Sequence, residues 1–261
     1  MKALLKFEFR KLFQNQAFYI CLGIALFLLI INTITAKVMA DLDREMMEEA
    51  YAEIGVKYEY SFSSLSLLKS VFNSNVAIVE GVVVSIIVCE DFAGDIIKNI
   101  YSKGYSRDKV YFAKLISSLT AFLIILITGM IVSFALGVAL TGQLGKAGKN
   151  FAASVVCIYL VAIAYFVIYY AISTIFKKVA PSIVFSILGP TGVSILLILA
   201  NLFIKNEDIS LSDYWISGVM TNLSLTDVKI EYIVTAIIVS VLVIAGFGCL
   251  SFFLNRKKDV K

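Results

Sequence analysis

Acidic and basic side chains crowd into one stretch of this chain, residues 90–114, caught between two long apolar runs. It reads Glu90-Asp91-Phe92-Ala93-Gly94-Asp95-Ile96-Ile97-Lys98-Asn99-Ile100-Tyr101-Ser102-Lys103-Gly104-Tyr105-Ser106-Arg107-Asp108-Lys109, then continues to Tyr111 and Lys114. Phe92, Ile96 and Ile100, like Ala93, Ile97 and Tyr101, repeat at i, i+4 and i+8, so one flank of a short helix is apolar while Asp95, Lys98 and Asn99 stand opposite. Gly104 supplies the left-handed position that ends helices, and Ser106 can cap the next one with Asp108 in its positive first turn. The chemistry on offer is docking. Exposed apolar residues beside charges need a cover, either the membrane surface or a protein groove. The plainer alternative is a basic loop that only sets topology.

A second candidate is Glu80, a lone carboxyl flanked by Val79 and Gly81 in an apolar run. A charge at the centre of a membrane helix costs about 2.5–3.5 kcal/mol on insertion scales, so it usually faces a cavity or a partner. Glu80 could therefore contact polar or cationic cargo, or hold a proton shared with a neighbouring helix. Asn75 lies toward the other end of the same run.

Other chemistries are excluded by what is missing. The chain has no histidine, hence no imidazole base, no histidine-ligated metal and no Ser-His or Cys-His pair. Gly145-Lys146-Ala147-Gly148-Lys149-Asn150 imitates a phosphate-binding loop, but Gln143 and Asn150 break the pattern. Cys21, Cys89, Cys157 and Cys249 sit in or beside apolar runs without metal spacing or a disulfide framework. No catalytic residue, bound cofactor or metal site is expected of this chain, which is not read as an enzyme.

The elements that must position these residues are membrane helices. Sixty per cent of residues are hydrophobic and mean hydropathy is +0.90, above the 45–50% usual for soluble domains. Six apolar blocks of roughly the 20 residues a bilayer demands fall at 17–36, 71–89, 116–140, 151–176, 182–204 and 232–254. Both faces of each are apolar, which suits helices rather than barrel strands. The expected fold is an all-α, six-span membrane domain covering residues 1–261. Most of the 23 basic residues fall on one side if the N-terminus is cytosolic: Lys2, Lys6, Arg10, Lys11, Lys98, Lys103, Arg107, Lys109, Lys114, Lys177, Lys178, Arg256, Lys257, Lys258 and Lys261. The positive-inside rule then places both termini in the cytosol.

Flanking segments carry further expectations. Residues 1–16 place Leu5, Phe9, Leu12 and Phe13 beside a row of Lys2, Lys6 and Arg10, which suits an interfacial helix with its apolar side in lipid; Leu4 and Phe7 spoil the stripe. Val38-Met39-Ala40 could pass for a signal cleavage site, but the apolar run before it is longer than signal cores, so it is read as a retained anchor. An acidic helix is expected after residue 37, ending near Gly55. In the last external loop Ile209, Leu211, Trp215, Ile216 and Val219 are apolar enough to lie on or dip into the membrane. Pro190 should kink or break the fifth span at residues 189–192. Tyr159, Tyr165, Phe166, Tyr169 and Tyr170 suggest a packing face on the fourth, with Tyr165 also a candidate for the pathway. No internal repeat is evident.

Glu90, Gly94, Ile96, Ile97, Lys98, Asn99, Ser102, Gly104, Ser106, Arg107, Tyr111 and Lys114 together resemble the segment after the second span in type-2 ABC exporter permeases, especially the bacitracin- and lantibiotic-resistance branch. That branch reads Glu, then Gly-Thr-Ile-Lys-Asn, Ser-x-Gly-x-Ser-Arg, Tyr and Lys; Asp95 stands where its threonine is usual. The resemblance implies a half-transporter in a bacterial plasma membrane, pairing with a second permease of the same or a similar chain. A coupling segment, residues 90–109, would rest in a groove of a separate cytosolic ABC ATPase pair. Glu90, Phe92, Gly94, Ile96, Ile97, Lys98, Ile100, Tyr101, Ser102, Gly104 and Arg107 would carry that contact. Arg10 or Lys11 of the N-terminal helix would face Glu90. ATP and magnesium would bind only the partner, and no nucleic acid is involved. Spans two and five would line the pathway, making Glu80, Asn75, Pro190 and Tyr165 its candidates, and the cargo would be an amphipathic, antimicrobial or lantibiotic-like peptide. The alternative is an ATPase-independent secondary transporter or channel with Glu80 as its intramembrane ion or proton site.

Overall fold

The computed structural model describes the chain apart from residues 54–63, 70, 72–73, 94–95, 143, 146, 204–209, 226 and 258–261, and apart from the side chains of 44–53, 66, 74–75, 93 and 257. Among the described residues all regular structure is helical. The order is α1 (Lys2–Gln14), α2 (Gln16–Glu53), α3 (Ser64–Lys69), α4 (Ser74–Ala93), α5 (Ile96–Ser102), α6 (Arg107–Thr141), α7 (Phe151–Phe176), α8 (Val179–Phe203), a 3₁₀ turn (Leu211–Tyr214), α9 (Ile216–Ser224) and α10 (Ile230–Lys257). Five helices are long and apolar enough to cross a membrane: Gln16–Asp43, Arg107–Thr141, Phe151–Phe176, Val179–Phe203 and Ile230–Arg256. The expected second span is α4, a 20-residue helix that is not among those five.

Helix α7 holds the centre because its sequence is apolar on every side. It packs against α10, α4, α8 and α9, and its Tyr165, Phe166, Tyr169 and Tyr170 are buried in the main core with Phe122 and Leu126 of α6 and Val84 and Val88 of α4. The aromatic residues of this span do form a packing face, with Tyr159 at its margin. The buried hydroxyls of Tyr170 and Tyr111 find partners, as buried polar groups usually do. Tyr170 donates to the Tyr111 carbonyl at 2.9 Å, and Tyr111 donates to Ser251 at 3.1 Å.

Several boundaries differ from expectation for physical reasons. The first span and the acidic helix after it are one element: α2 runs unbroken for 38 residues, about 57 Å at 1.5 Å per residue. Nothing between Ala36 and Asp43 breaks helix, so the chain has no reason to turn there. Its expected stop, Gly55, lies outside the described residues. Helix α6 begins at Arg107 rather than at residue 116. Helix α8 passes through Pro190 without breaking, and the Pro190 carbonyl accepts bonds from Ser194 at 2.9 Å and from the Trp215 indole at 3.3 Å. Ile216 and Val219 of α9 are buried in the protein core with Met220 and Leu223, not laid on lipid; Ile209 lies outside the described residues. The outward faces of α2, α8 and α10, including Phe27, Leu196, Leu202 and Leu242, are exposed and apolar.

Helix α4 sits inside this bundle, packed on α2, α6, α7 and α8. Gly81 permits the close approach: a Cβ there would stand 3.3 Å from both the Ser186 Cβ and the Tyr169 ring. Gly81→Val should therefore lower the melting temperature in detergent, by an overpacking cost of about 1–3 kcal/mol. Gly23→Val on α2, where a Cβ meets nothing within 4 Å, should melt like the wild type.

Candidate functional site

The charged stretch builds a compact joint at one end of the bundle. Helix α5 is a seven-residue helix with Ile97 and Ile100 buried, while Lys98, Asn99 and Ser102 are exposed. Ile100 packs with Leu4 of α1 and with Val110 and Ala113 of α6, and Leu5, Ile96, Tyr101 and Tyr105 close the rim. The apolar flank is therefore covered by the chain's own α1 and α6, and needs neither a membrane nor a partner to hide it. Gly104 adopts the left-handed conformation (φ 83°) and its N–H bonds the Tyr101 carbonyl at 2.9 Å, which stops α5. Ser106 occupies the N-cap of α6 in extended conformation without a side-chain cap bond. Asp108 instead holds Arg256 of α10 at 2.6 Å, and Arg107 donates to the Arg256 carbonyl at 3.2 Å. The Phe92 ring lies 5.3 Å from the Lys177 ammonium. Gly94 and Asp95 lie outside the described residues.

Helix α1 packs on α6 through a different face from the one its strongest apolar residues mark. Leu4, Glu8 and Leu12, spaced i, i+4 and i+8, are the buried ones. Phe7 and Phe13 are exposed, while Leu5 and Phe9 are half-buried. Leu4, expected to spoil the stripe, belongs to it, and an acid sits in its middle.

That acid joins a cluster of five charges. Asp91, fully buried near the end of α4, bonds the Lys11 ammonium of α1 through one oxygen and the Lys114 ammonium of α6 through the other. Lys114 also stands 3.6 Å from Glu8, and Lys11 stands 3.2 Å from Glu90. Asn15 donates to Glu90 at 3.0 Å. Of the two cations expected opposite Glu90, Lys11 is the one that reaches it; Arg10 is exposed beside it. Burial by itself would raise the Asp91 carboxyl, but the Lys114 and Lys11 charges outweigh it and hold Asp91 below the ordinary carboxylate value. For Lys11, burial opposes the charge, yet Asp91 and Glu90 together lift the ammonium above its usual value. Glu8 goes the other way: burial pushes it up, Lys114 only partly offsets that, and the Asp91 charge adds to the rise.

Sequence reasoning missed Glu8, Asp91 and Lys114 as a unit. A signal existed for Glu8, which occupies the row of Leu4 and Leu12. Beside the cluster an open groove of about 640 Å³ is lined by Phe7, Arg10, Lys11, Asn15, Glu90 and Ile96, among others.

The intramembrane candidates lie elsewhere. Glu80 is fully buried on α4, and neither carboxyl oxygen has a hydrogen-bond partner among the described residues. Pro190 and Tyr165 line a small cavity of about 90 Å³ between α4, α7, α8 and α9. The Asn75 side chain lies outside the described residues. Glu80, Tyr165 and Pro190 thus belong to one region, separate from the charged joint. No group of three or more metal-ligating side chains forms among the described residues.

A family model described as "ABC-2 family transporter protein" matches residues 4–192, well over half of the chain. That stretch takes in α1, the charged joint and the seven helices α2 to α8 as far as Gly192. No curated protein and no solved structure matches the chain.

Removing Asp91 strands two ammoniums, one of them buried. Asp91→Ala should cost about 3–5 kcal/mol, the range for breaking a buried pair, whereas Glu90→Gln, on a half-exposed carboxylate, should cost under about 1 kcal/mol. Thermal unfolding in detergent separates the two. The pH behaviour of the acids is opposed. Asp91 contributes stability that is complete above the ordinary carboxylate range and lost as pH falls through its depressed value. Glu8 contributes stability that is complete below that range and lost as pH rises through its raised value. Melting curves across pH should show that Glu8→Gln abolishes the loss between acid and neutral pH.

Proposed function

The chain belongs to the ABC-2 transporter family, and from that premise we propose that it is the permease half of an ATP-driven exporter whose coupling helix is α5. Membership makes it a multi-pass membrane subunit that works with an ABC ATPase. In this reading α4 is the sixth span, between α2 and α6, and both termini and α5 face the cytosol of a bacterial plasma membrane. The excess of lysine and arginine at that end supports the orientation.

The observation that carries the assignment is the way α5 is held. Its apolar side is sealed against α1 and α6, and Asp91 ties α4 to the same two helices only five residues before α5 begins. A load applied to the exposed Lys98 and Asn99 would therefore reach α1 and α6 through the packing of Ile100 against Leu4, Val110 and Ala113. ATP, hydrolysed entirely on the partner, can bias this permease only if its two shapes bind the ATPase with different free energies. A stiff joint converts that difference into movement of the spans. The half-exposed Glu90, with the exposed Arg10 and the groove they line, offers a second polar contact for the partner.

The exposed apolar faces of α8 and α10 serve lipid and a second permease, and the α4–α8 region holding Glu80, Tyr165 and Pro190 faces the pathway when the pair opens. The cargo is an amphipathic peptide of the antimicrobial or lantibiotic type, because the charged segment resembles that branch and because apolar helix faces meet its path.

Lys98→Cys, made with the exposed Cys249 replaced by Ser, should form a crosslink to a nucleotide-hydrolysing protein in membranes of the native host. Co-expression of the permease with that protein should raise the peptide concentration needed to arrest growth, and Lys98→Glu should reduce the protection several-fold. Full cargo movement by the permease alone in nucleotide-free vesicles would sink the assignment.

A further inference from the structure

Glu80 is not explained by the coupling joint. Its carboxyl is wholly inside, and among the described residues neither oxygen has a hydrogen-bond partner and no ion pair involves it. It lies on the row Glu80, Val84, Val88, and the two valines pack into the core around α7. On the α7 side Tyr169 stands against the neighbouring Gly81, with Tyr165 behind at 6.0 Å between ring centres. Helix α4 packs on α2, α6, α7 and α8: Ser186 and Ser182 of α8 meet Ser85 and Cys89 along it, while Ala121 and Ile125 of α6 and Phe18, Cys21 and Ala25 of α2 group with Val79 and Val83. The charges of the joint begin at Glu90, ten residues along α4, or about 15 Å away. An ionised carboxylate with no donor and no cation in such a place is strongly disfavoured.

A row of polar groups nevertheless runs along the adjacent face of α4 as far as Gly81. From the joint end, Cys89 meets Ser182 at 3.2 Å, Ser173 donates to Ser85 at 3.4 Å, and Ser85 meets Ser186 at 3.2 Å. Ser186 then sits against Gly81, the neighbour of Glu80. On the other side of Ser186 lies the 90 Å³ cavity, whose surface is almost wholly apolar although Tyr165, Tyr169, Ser194 and Ser217 are among its lining residues. The row joins α4, α7 and α8, so its continuity depends on those three helices staying together.

We propose that Glu80 is an intramembrane proton-binding site, loaded with a proton in this closed packing of α4 against α7 and α8 and unloaded when those helices part. In the unloading step the carboxyl O–H bond breaks, the proton passes to a water molecule entering along the hydroxyl row, and the carboxylate keeps the electron pair. Reclosing reverses it. The ligand is a proton, which neutralises a buried carboxylate without the several further oxygen ligands that a metal cation needs. The permease's change of shape is thereby linked to pH, whichever partner drives it. This inference rests on the proposed function only in taking the α4–α8 region as the part that opens.

Infrared spectroscopy on the purified permease tests the loaded state without any ATPase. The wild type at neutral pH should show a protonated-carboxyl carbonyl band that Glu80→Gln removes and Glu80→Asp shifts. If Glu80→Gln removes a carboxylate band instead, the inference is wrong. The pH profile of cargo movement in vesicles, with whatever energy source supports it, tests the linkage. The wild-type profile should slope at least several-fold across the physiological range and that of Glu80→Gln should be flat; coincident profiles would overturn the linkage. Glu80→Asp, which keeps a titratable group, should retain a displaced slope even if Glu80→Gln folds poorly. A dead ATPase contact with an intact Glu80 band would count against the exporter assignment alone.

Discussion

Asp91 takes two ammoniums at once, and the rest of the structure depends on that bridge. Each carboxyl oxygen is given to a different helix, Lys11 from α1 and Lys114 from α6, while the carboxyl itself ends α4. Two of the three residues are buried, so no water competes for the bonds. A buried charge pair is a poor source of net stability but a strong specifier, because losing one member leaves the others uncompensated. Here the specification is positional: α1 must lie across the foot of α4 and α6, and once it does, Leu4 meets Ile100 and the short helix α5 is pinned. Seven residues could not hold a helix by themselves in water. The joint supplies the missing stability by burying Ile97 and Ile100.

Seen from this joint, the outer charges have a graded role. Glu90 is tied to Lys11 and Asn15 yet remains half-exposed, so it can exchange partners at little cost. Asp108 and Arg256 clasp the start of α6 to the end of α10 on the surface. The interior is arranged differently. It has no ion pair among the described residues at the level of Glu80, and relies on hydroxyls that bond one another or a helix carbonyl. Polarity thus follows two designs: paired charges at the joint end of the bundle, and uncharged hydroxyls at the level of Glu80.

Much of this was legible in the residues alone. The helical, membrane-spanning class, the break at Gly104 and the helix restart after Ser106 follow from local patterns, whereas the pairing of Glu90 with an N-terminal cation is what the family resemblance implies. The misreadings share one cause. Leu4 was judged against the strongest apolar stripe of its own helix, but burial is decided by the neighbour, and α6 presents its surface to Leu4, Glu8 and Leu12 instead. The apolar flank of α5 looked open because nothing local covers it. Ile216 and Val219 looked like membrane anchors because their partners on α7 and α10 are far away in sequence. Of the kink or break expected at Pro190, the break does not occur, because removing one backbone bond in a 25-residue helix does not stop it.

The sequence by itself determined the class and the stop and restart around Gly104 and Ser106, because these follow from hydrophobic run length and from residues that end or begin a helix locally; other ends, such as the end of α2 and the start of α6, run past the apolar blocks. Only the tertiary structure decided which charges meet. Glu8, Lys11, Asp91 and Lys114 are separated by up to 106 positions along the chain, and Coulomb attraction at contact distance depends on where the helices lie rather than on spacing in the chain. The same holds for Glu80, whose surroundings are drawn from four other helices.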